Sequence, residues 1–290
     1  MKALLLATAA LALAATAPAA TQAQPRPPAA VFTDPPADAA HPPRMEVLHI
    51  PTGGVAINGV AYIPAGAGAH PTVVLLHGLP GNEKNLDLAQ AIRRAGWTVV
   101  TFNYRGSWGS PGTFSFRGNL ADAKAVLAYV RDPANAAKLG VDPKKLVIAG
   151  HSMGGWVTSQ TAGADPALAG AILISSADMA ALAKAPEPAR LNTASGNMEA
   201  LAGVTAASMA QEMTTLGDAS FAAAAPGLAK HPLLVLTSDD GLAPVADALA
   251  ANVTKLGGKV TAVHVATDHG WSGARIRLET EVLNWLAKLP

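Results

Sequence analysis

Val147-Ile148-Ala149-Gly150-His151-Ser152-Met153-Gly154-Gly155 reads as a short apolar strand, an abrupt turn and a helix opening at Gly154. Gly-x-Ser-x-Gly also arises in ordinary turns, but here an apolar strand precedes it and a helical pattern follows. That context marks a sharp, strained turn that lifts the serine Oγ clear of a sheet. Side chains at 150 and 154 would collide across such a turn, so glycine is expected there on steric grounds. The helix that follows aims its free N–H groups and positive dipole end at the serine, where negative charge would develop.

The pattern around this stretch is strand, loop, helix, repeated. Thr72–His77 is a continuous apolar run, as expected of a strand covered on both faces. Asn85–Ala95 is helical in pattern, Trp97–Phe102 extended, and Leu120–Val130 helical with Asp132-Pro133 ending it. Lys145–Ala149 feeds the serine turn. Ala169–Ile174, Pro232–Thr237 and Lys259–Val265 are further strands, and Ala274–Leu289 is a last amphipathic helix. The spacing predicts an α/β chain with a doubly wound, mostly parallel sheet. Before it, Met45–Ile50 and Val55–Ile63 form an antiparallel hairpin at the sheet edge, turning at Pro51-Thr52-Gly53-Gly54. Asn58-Gly59 is read as a bulge in the second strand rather than as a tighter turn, because the apolar pattern continues on both sides.

One segment breaks the alternation. Residues 177–230 contain no convincing strand and hold alanine-rich helical runs with Met179, Met198, Met209 and Met213. Structureless loops of that length are uncommon in compact domains, so a helical insertion is expected. It follows a strand's C-terminal end and is read as a lid over the pocket, with Met209 and Met213 as substrate-binding residues on account of their adaptable thioethers. The plainer alternative is a helical excursion that only covers sheet.

Length and composition bound the rest. The chain has 290 residues, half of them hydrophobic and 14% charged, with a formal net charge of +1. One sizeable domain is expected over 45–290, and nothing favours nucleic acid as a partner. Cysteine is absent, which excludes disulfides, thiolate metal sites and a cysteine nucleophile. Lys2, the uncharged apolar run Ala3–Ala17 and Thr21-Gln22-Ala23 resemble an export signal cleaved near Ala23. The run is shorter than the ~20 residues that span a bilayer, so a bacterial periplasmic or secreted protein without an integral membrane segment is expected. Residues 24–44, rich in Pro and Ala, read as an extended linker.

A serine hydroxyl needs a base, usually histidine, itself oriented by a carboxylate. After the insertion, Ser238-Asp239-Asp240-Gly241-Leu242-Ala243-Pro244 puts an acidic pair directly behind a buried strand. Thr267-Asp268-His269-Gly270-Trp271 follows the next strand, so His269 reaches the same sheet edge as Ser152 and Asp240. Ligands of such sheets bind outside the carboxyl ends of the strands. Of the other histidines, His264 is read as a packed strand residue, and His151 as pointing away from the nucleophile. His77 is read as fixing the loop His77-Gly78-Leu79-Pro80-Gly81. Pro80 has no N–H, so Leu79 is the natural oxyanion donor there, paired with Met153.

Residues 45–290 resemble the α/β-hydrolase family. The resemblance rests on His77-Gly78 after a strand, on Gly150-His151-Ser152-Met153-Gly154-Gly155, on Asp240-Gly241-Leu242-Ala243-Pro244 and on Asp268-His269, in that order. In that family the acid sits just before a short turn ending in proline, which favours Asp240 over Asp239. Asn103–Gly112 resembles a loop shared by the prolyl-oligopeptidase-like and serine-aminopeptidase-like branches. A serine nucleophile sets the chain apart from the dehalogenases and epoxide hydrolases of the family, which use aspartate.

The expected activity is acyl transfer without metal or cofactor. Ser152 would attack a carbonyl, His269 shuttle the proton and Asp240 hold the imidazole, with the N–H groups of Leu79 and Met153 stabilising the oxyanion. A small carboxylic ester is the expected substrate, a short peptide the runner-up. The rival from another class is a catalytically idle binding protein of the same fold, which would more naturally have lost one of the three residues.

Overall fold

The structure, a computed structural model, describes residues 24–290. The expected export signal lies outside the described residues. Eight strands form one sheet: β1 (Arg44–Thr52), β2 (Val55–Ile63), β3 (His70–Leu76), β4 (Thr98–Phe102), β5 (Val141–His151), β6 (Gly170–Ile174), β7 (Leu233–Ser238) and β8 (Val260–Val265). Their order is β1-β2-β4-β3-β5-β6-β7-β8. β1 and β2 pair antiparallel, as do β2 and β4, and every other neighbouring pair is parallel. The helices among the described residues are α1 (Leu86–Arg94), α2 (Phe116–Arg131), α3 (Pro133–Leu139), α4 (Met153–Ala164), α5 (Glu187–Ser195), α6 (Ala206–Met213), α7 (Phe221–Leu228), α8 (Ala243–Lys255) and α9 (Arg275–Leu286). None is long and apolar enough to cross a membrane.

The central strands alternate their side chains between two cores. Val74, Leu76, Ile148, Leu173 and Val235 face one core, closed by α2, α3, α4 and α8. Val73, Leu75, Val147, Ile174 and Leu236 face the other, closed by α1 and α9. Burial on both faces explains why these strands are continuous apolar runs. The carboxyl ends of β3, β5, β6, β7 and β8 therefore share one edge of the sheet.

Four details differ from the sequence reading. β1 and β2 pair in unbroken register through Leu48↔Gly59 and His49↔Asn58, so no bulge occurs at Asn58-Gly59. Gly59 instead serves the β2–β4 pairing: a Cβ there would lie 2.9 Å from the Thr101 carbonyl. Asp132-Pro133 ends α2 but also starts α3, with the Asp132 carboxylate accepting from Ala134 N (3.1 Å) and Asn135 N (3.0 Å). The Pro/Ala-rich segment is docked in part, since Val31 is buried and Arg94 donates to the carbonyls of Ala30 (2.6 Å) and Val31 (2.9 Å). Finally, His264 is not a packed residue. It projects from the edge strand β8, half exposed, and bonds Asp239 at 3.0 Å.

The insertion is helical, as expected, and is fastened along its length. α7 lies on α4 through small residues; a Cβ at Gly227 would fall on the Gly163 carbonyl. Trp156 Nε1 donates to Ala219 O at 2.6 Å from inside the core. At the other end, backbone bonds join Trp108 to Ala200 (2.9 Å), Ala202 to Gly106 (2.8 Å) and Phe114 to Ala202 (3.0 Å). The Glu212 carboxylate caps the start of α2 through Ser115 Oγ (2.7 Å) and Arg117 N (3.0 Å).

Candidate active site

Ser152 sits between β5 and α4 with φ 58° and ψ −122°, a conformation that strains any residue with a Cβ. Its neighbours over-determine that geometry. The Ser152 N–H donates to Ile174 O at 2.9 Å, and its carbonyl accepts from Ala177 N at 3.2 Å. A Cβ at 150 would lie 2.1 Å from Gly154 O, and one at 154 would lie 2.5 Å from Leu76 O. Both glycines are thus required by close backbone approach, for the reason expected from sequence. Ser152 Oγ makes no hydrogen bond among the described residues; base–nucleophile contacts in such sites commonly tighten only around substrate.

The loop after β3 runs against Ser152. A Cβ at Gly78 would stand 2.9 Å from Ser152 Cβ and 3.4 Å from its Oγ. Leu79 follows directly, and Met153 is the first residue of α4. Neither N–H is engaged among the described residues, so both are free to donate to an oxyanion near Oγ. His77 holds this loop, as expected: its ring is buried, Nδ1–H donates to Gly78 O at 2.8 Å, and its edge packs on Tyr104 at 4.8 Å. Burial lowers its pKa to about 4, so it is neutral in ordinary buffers. Trp108, unremarked in the sequence, adds a second tie by donating to Pro80 O at 2.7 Å.

Asp240 and His269 meet at the sheet edge. His269 Nδ1 lies 2.7 Å from Asp240 Oδ2, with the Asp240 side chain 3% exposed. Asp240 Oδ1 accepts from Leu242 N at 2.9 Å. Burial acts to raise the Asp240 pKa, but the hydrogen bond with His269, the Leu242 N–H and the Ser238 hydroxyl outweigh it and hold the carboxyl below its usual value. Asp239 turns the other way, to His264, and is exposed. The pairing therefore separates two adjacent aspartates, Asp240 facing His269 and Asp239 facing His264.

His151 does not simply point away. Its ring lies beside that of His269, centroids 4.6 Å apart, and Nε2–H donates to His269 O at 2.8 Å. Burial chiefly, then the nearby His269, lowers its pKa to about 4, which keeps the ring neutral beside His269. Arg275 completes the histidine loop's support, donating to Gly270 O (2.9 Å) and pairing with Asp87. Next to the histidine loop opens a cleft of about 490 Å³ lined by Asn82, Glu83, Lys84, Asp87, Ser272 and Arg275.

Met209 and Met213 correct the sequence reading. Both side chains are fully buried in the core with Leu216 and Phe221, so neither lines an open pocket. Their i, i+4 spacing is the apolar stripe by which α6 packs inward. Among the described residues no group of three or more His, Asp or Glu side chains is arranged to hold a metal ion.

A sequence profile described as the alpha/beta hydrolase family matches residues 73–277. The chain belongs to that family. The match spans every residue of the site described above. A lysophosphatidylserine lipase ABHD12 of Danio rerio is 35% identical over 89 residues, 30% of this chain and 22% of that protein. The chain thus aligns with only about a fifth of that relative's length. An esterase of the archaeon Pyrobaculum calidifontis superposes with a TM-score of 0.63 at 22% identity, covering 86% of this chain and 87% of its own. The carboxylesterase EstE1, cloned from a metagenomic library, gives 0.64 at 22% identity, covering 90% and 92%. These two likenesses establish the fold, an α/β-hydrolase sheet with helices on both faces.

Proposed function

We propose that this family member is a serine hydrolase that cleaves small carboxylic esters through an acyl-enzyme. Ser152 attacks the ester carbonyl as His269 Nε2 takes its proton. The tetrahedral oxyanion is met by the N–H groups of Leu79 and Met153. Collapse expels the alcohol, which takes the proton back from His269, and water repeats the sequence on the acyl-enzyme. Asp240 fixes the imidazole with Nδ1–H toward itself and stabilises the imidazolium. The observation that carries this reading is the 2.7 Å contact of a buried Asp240 with His269, on the sheet edge where Ser152 is strained outward.

An ester is favoured over an amide because its alcohol leaves more easily. A panel of p-nitrophenyl esters and aminoacyl amides tests this: ester turnover abolished in Ser152→Ala supports it, and turnover of the amides alone contradicts it. Export with cleavage near Ala23 is part of the proposal. Amino-terminal sequencing of the mature protein checks it.

A further inference from the structure

Ser175, Ser238 and Trp271 are buried polar groups that the mechanism does not use. They are far apart in sequence and meet behind the acid and base. Trp271 Nε1 donates to Ser175 Oγ at 2.9 Å, across 96 residues. Ser175 Oγ lies 2.7 Å from Ser238 Oγ, across 63 residues. Trp271 stands two residues after the base, and Ser238 two residues before the acid. Ser175 follows β6, directly after Ile174, whose carbonyl holds the nucleophile's N–H. The loops that carry Asp240 and His269 are therefore joined at one hydroxyl, on the segment whose Ile174 carbonyl holds the Ser152 N–H.

An indole N–H only donates, so Trp271 donates into Ser175 Oγ. The Ser175 and Ser238 hydroxyls share the next bond, in which either oxygen can be the donor. Ser238 is among the groups that hold the Asp240 carboxyl below its usual value. The backbone is bent to make the junction. Ser175 has φ 42° and Trp271 φ 58°, both costly for residues with a Cβ. The Ser175 N–H is fixed on Leu236 O at 2.8 Å, and the Trp271 indole is sunk in the core under α9. Strained residues held this firmly at a site are a mark of function rather than of packing alone.

We propose that Trp271, Ser175 and Ser238 form a hydrogen-bond relay between the loops of Asp240 and His269 that positions the two against each other. This rests on the serine-hydrolase reading above. None of the three touches substrate, so all are positioning residues.

The test compares wild type, Ser238→Ala, Ser238→Thr and Ser175→Gly on p-nitrophenyl acetate across pH. Glycine at 175 accepts the positive φ, so that variant folds without strain. Ser238→Ala should lower kcat roughly 3- to 10-fold, the scale of a neutral hydrogen bond, with KM within about twofold. The acid limb of kcat/KM, which belongs to the Asp240–His269 pair, should move to higher pH because Ser238 no longer helps to hold the Asp240 carboxyl down. His151, Asp268 and Arg275, the other titratable groups around the pair, are unaltered in every variant. Ser175→Gly should shift both readouts the same way by less, and Ser238→Thr, which keeps a hydroxyl, should restore them. Wild-type kcat and pH profile in Ser238→Ala would overturn the relay, as would a loss that Ser238→Thr fails to restore while thermal stability is unchanged. A wild-type protein that takes no fluorophosphonate label would instead sink the serine-hydrolase reading, and the relay with it.

Discussion

Asp239 and Asp240 are adjacent acids with opposite expected importance, and replacing each by Asn separates them. Asp240 is 3% exposed and bonds His269 at 2.7 Å. An amide at 240 keeps the shape but no longer stabilises the imidazolium, and it can present an N–H where the imidazole needs an acceptor. Neutralising a triad carboxylate in other serine hydrolases costs about 10⁴ in turnover, near 5 kcal/mol of transition-state stabilisation. Asp239 is 62% exposed and its partner His264 49% exposed. An ion pair in that setting contributes about 0–1 kcal/mol, and none of it reaches the reacting atoms. Asp240→Asn should therefore lose about four decades of kcat on p-nitrophenyl acetate with thermal stability nearly kept. Asp239→Asn should stay within about fivefold. Steady-state kinetics on both variants, each checked for folding by circular dichroism, gives the comparison. Reversed losses, or a loss under tenfold in Asp240→Asn, would refute the assignment of the acid.

Asp122 is fully enclosed and receives Arg105 Nε (2.7 Å), Arg105 N (2.9 Å) and Thr52 Oγ1 (2.9 Å), so Asp122→Ala strands a guanidinium. The expected cost is about 3–5 kcal/mol, or roughly 6–20 °C in Tm, read by thermal melting. Met209→Ala and Met213→Ala should each cost about 2–5 kcal/mol as core truncations and leave acyl chain-length preference unchanged, measured on an ester series. His77 and His151 titrate near 6.5 when unfolded and near 4 when folded. Between those values the unfolded chain binds more protons, so stability is complete above about pH 6.5 and falls as pH drops toward 4, by up to about 3 kcal/mol for each histidine. Urea midpoints at pH 7.5 and 5 check this, and equal midpoints would count against it.

The sheet was legible because its central strands are buried on both faces and so read as continuous apolar runs. The turn at Ser152 was legible because close backbone approach there leaves only glycine at 150 and 154. What escaped was of two kinds. Some signals are ambiguous in themselves: Asp-Pro both ends one helix and starts the next, and glycine at 59 fits a bulge as well as a close carbonyl. Paired methionines fit a ligand pocket as well as a core stripe, and burial decides for the stripe. Other features are contacts between distant segments. The seating of His151 against His269, the exposure of His264 on an edge strand, and the meeting of Ser175 with Ser238 and Trp271 depend on which strand ends become neighbours. No local pattern encodes that. The choice of Asp240 over Asp239 stood between these kinds, since only the proline turn behind it favoured one acid.

The central claim is that Ser152 is an activated nucleophile. Treating the purified chain with a fluorophosphonate and mapping the adduct by peptide mass spectrometry tests it most directly. The structure predicts a single adduct on the peptide that carries Ser152, absent in Ser152→Ala and slowed in Asp240→Asn. No adduct, or one on another serine such as Ser175 or Ser176 that persists in Ser152→Ala, would contradict it.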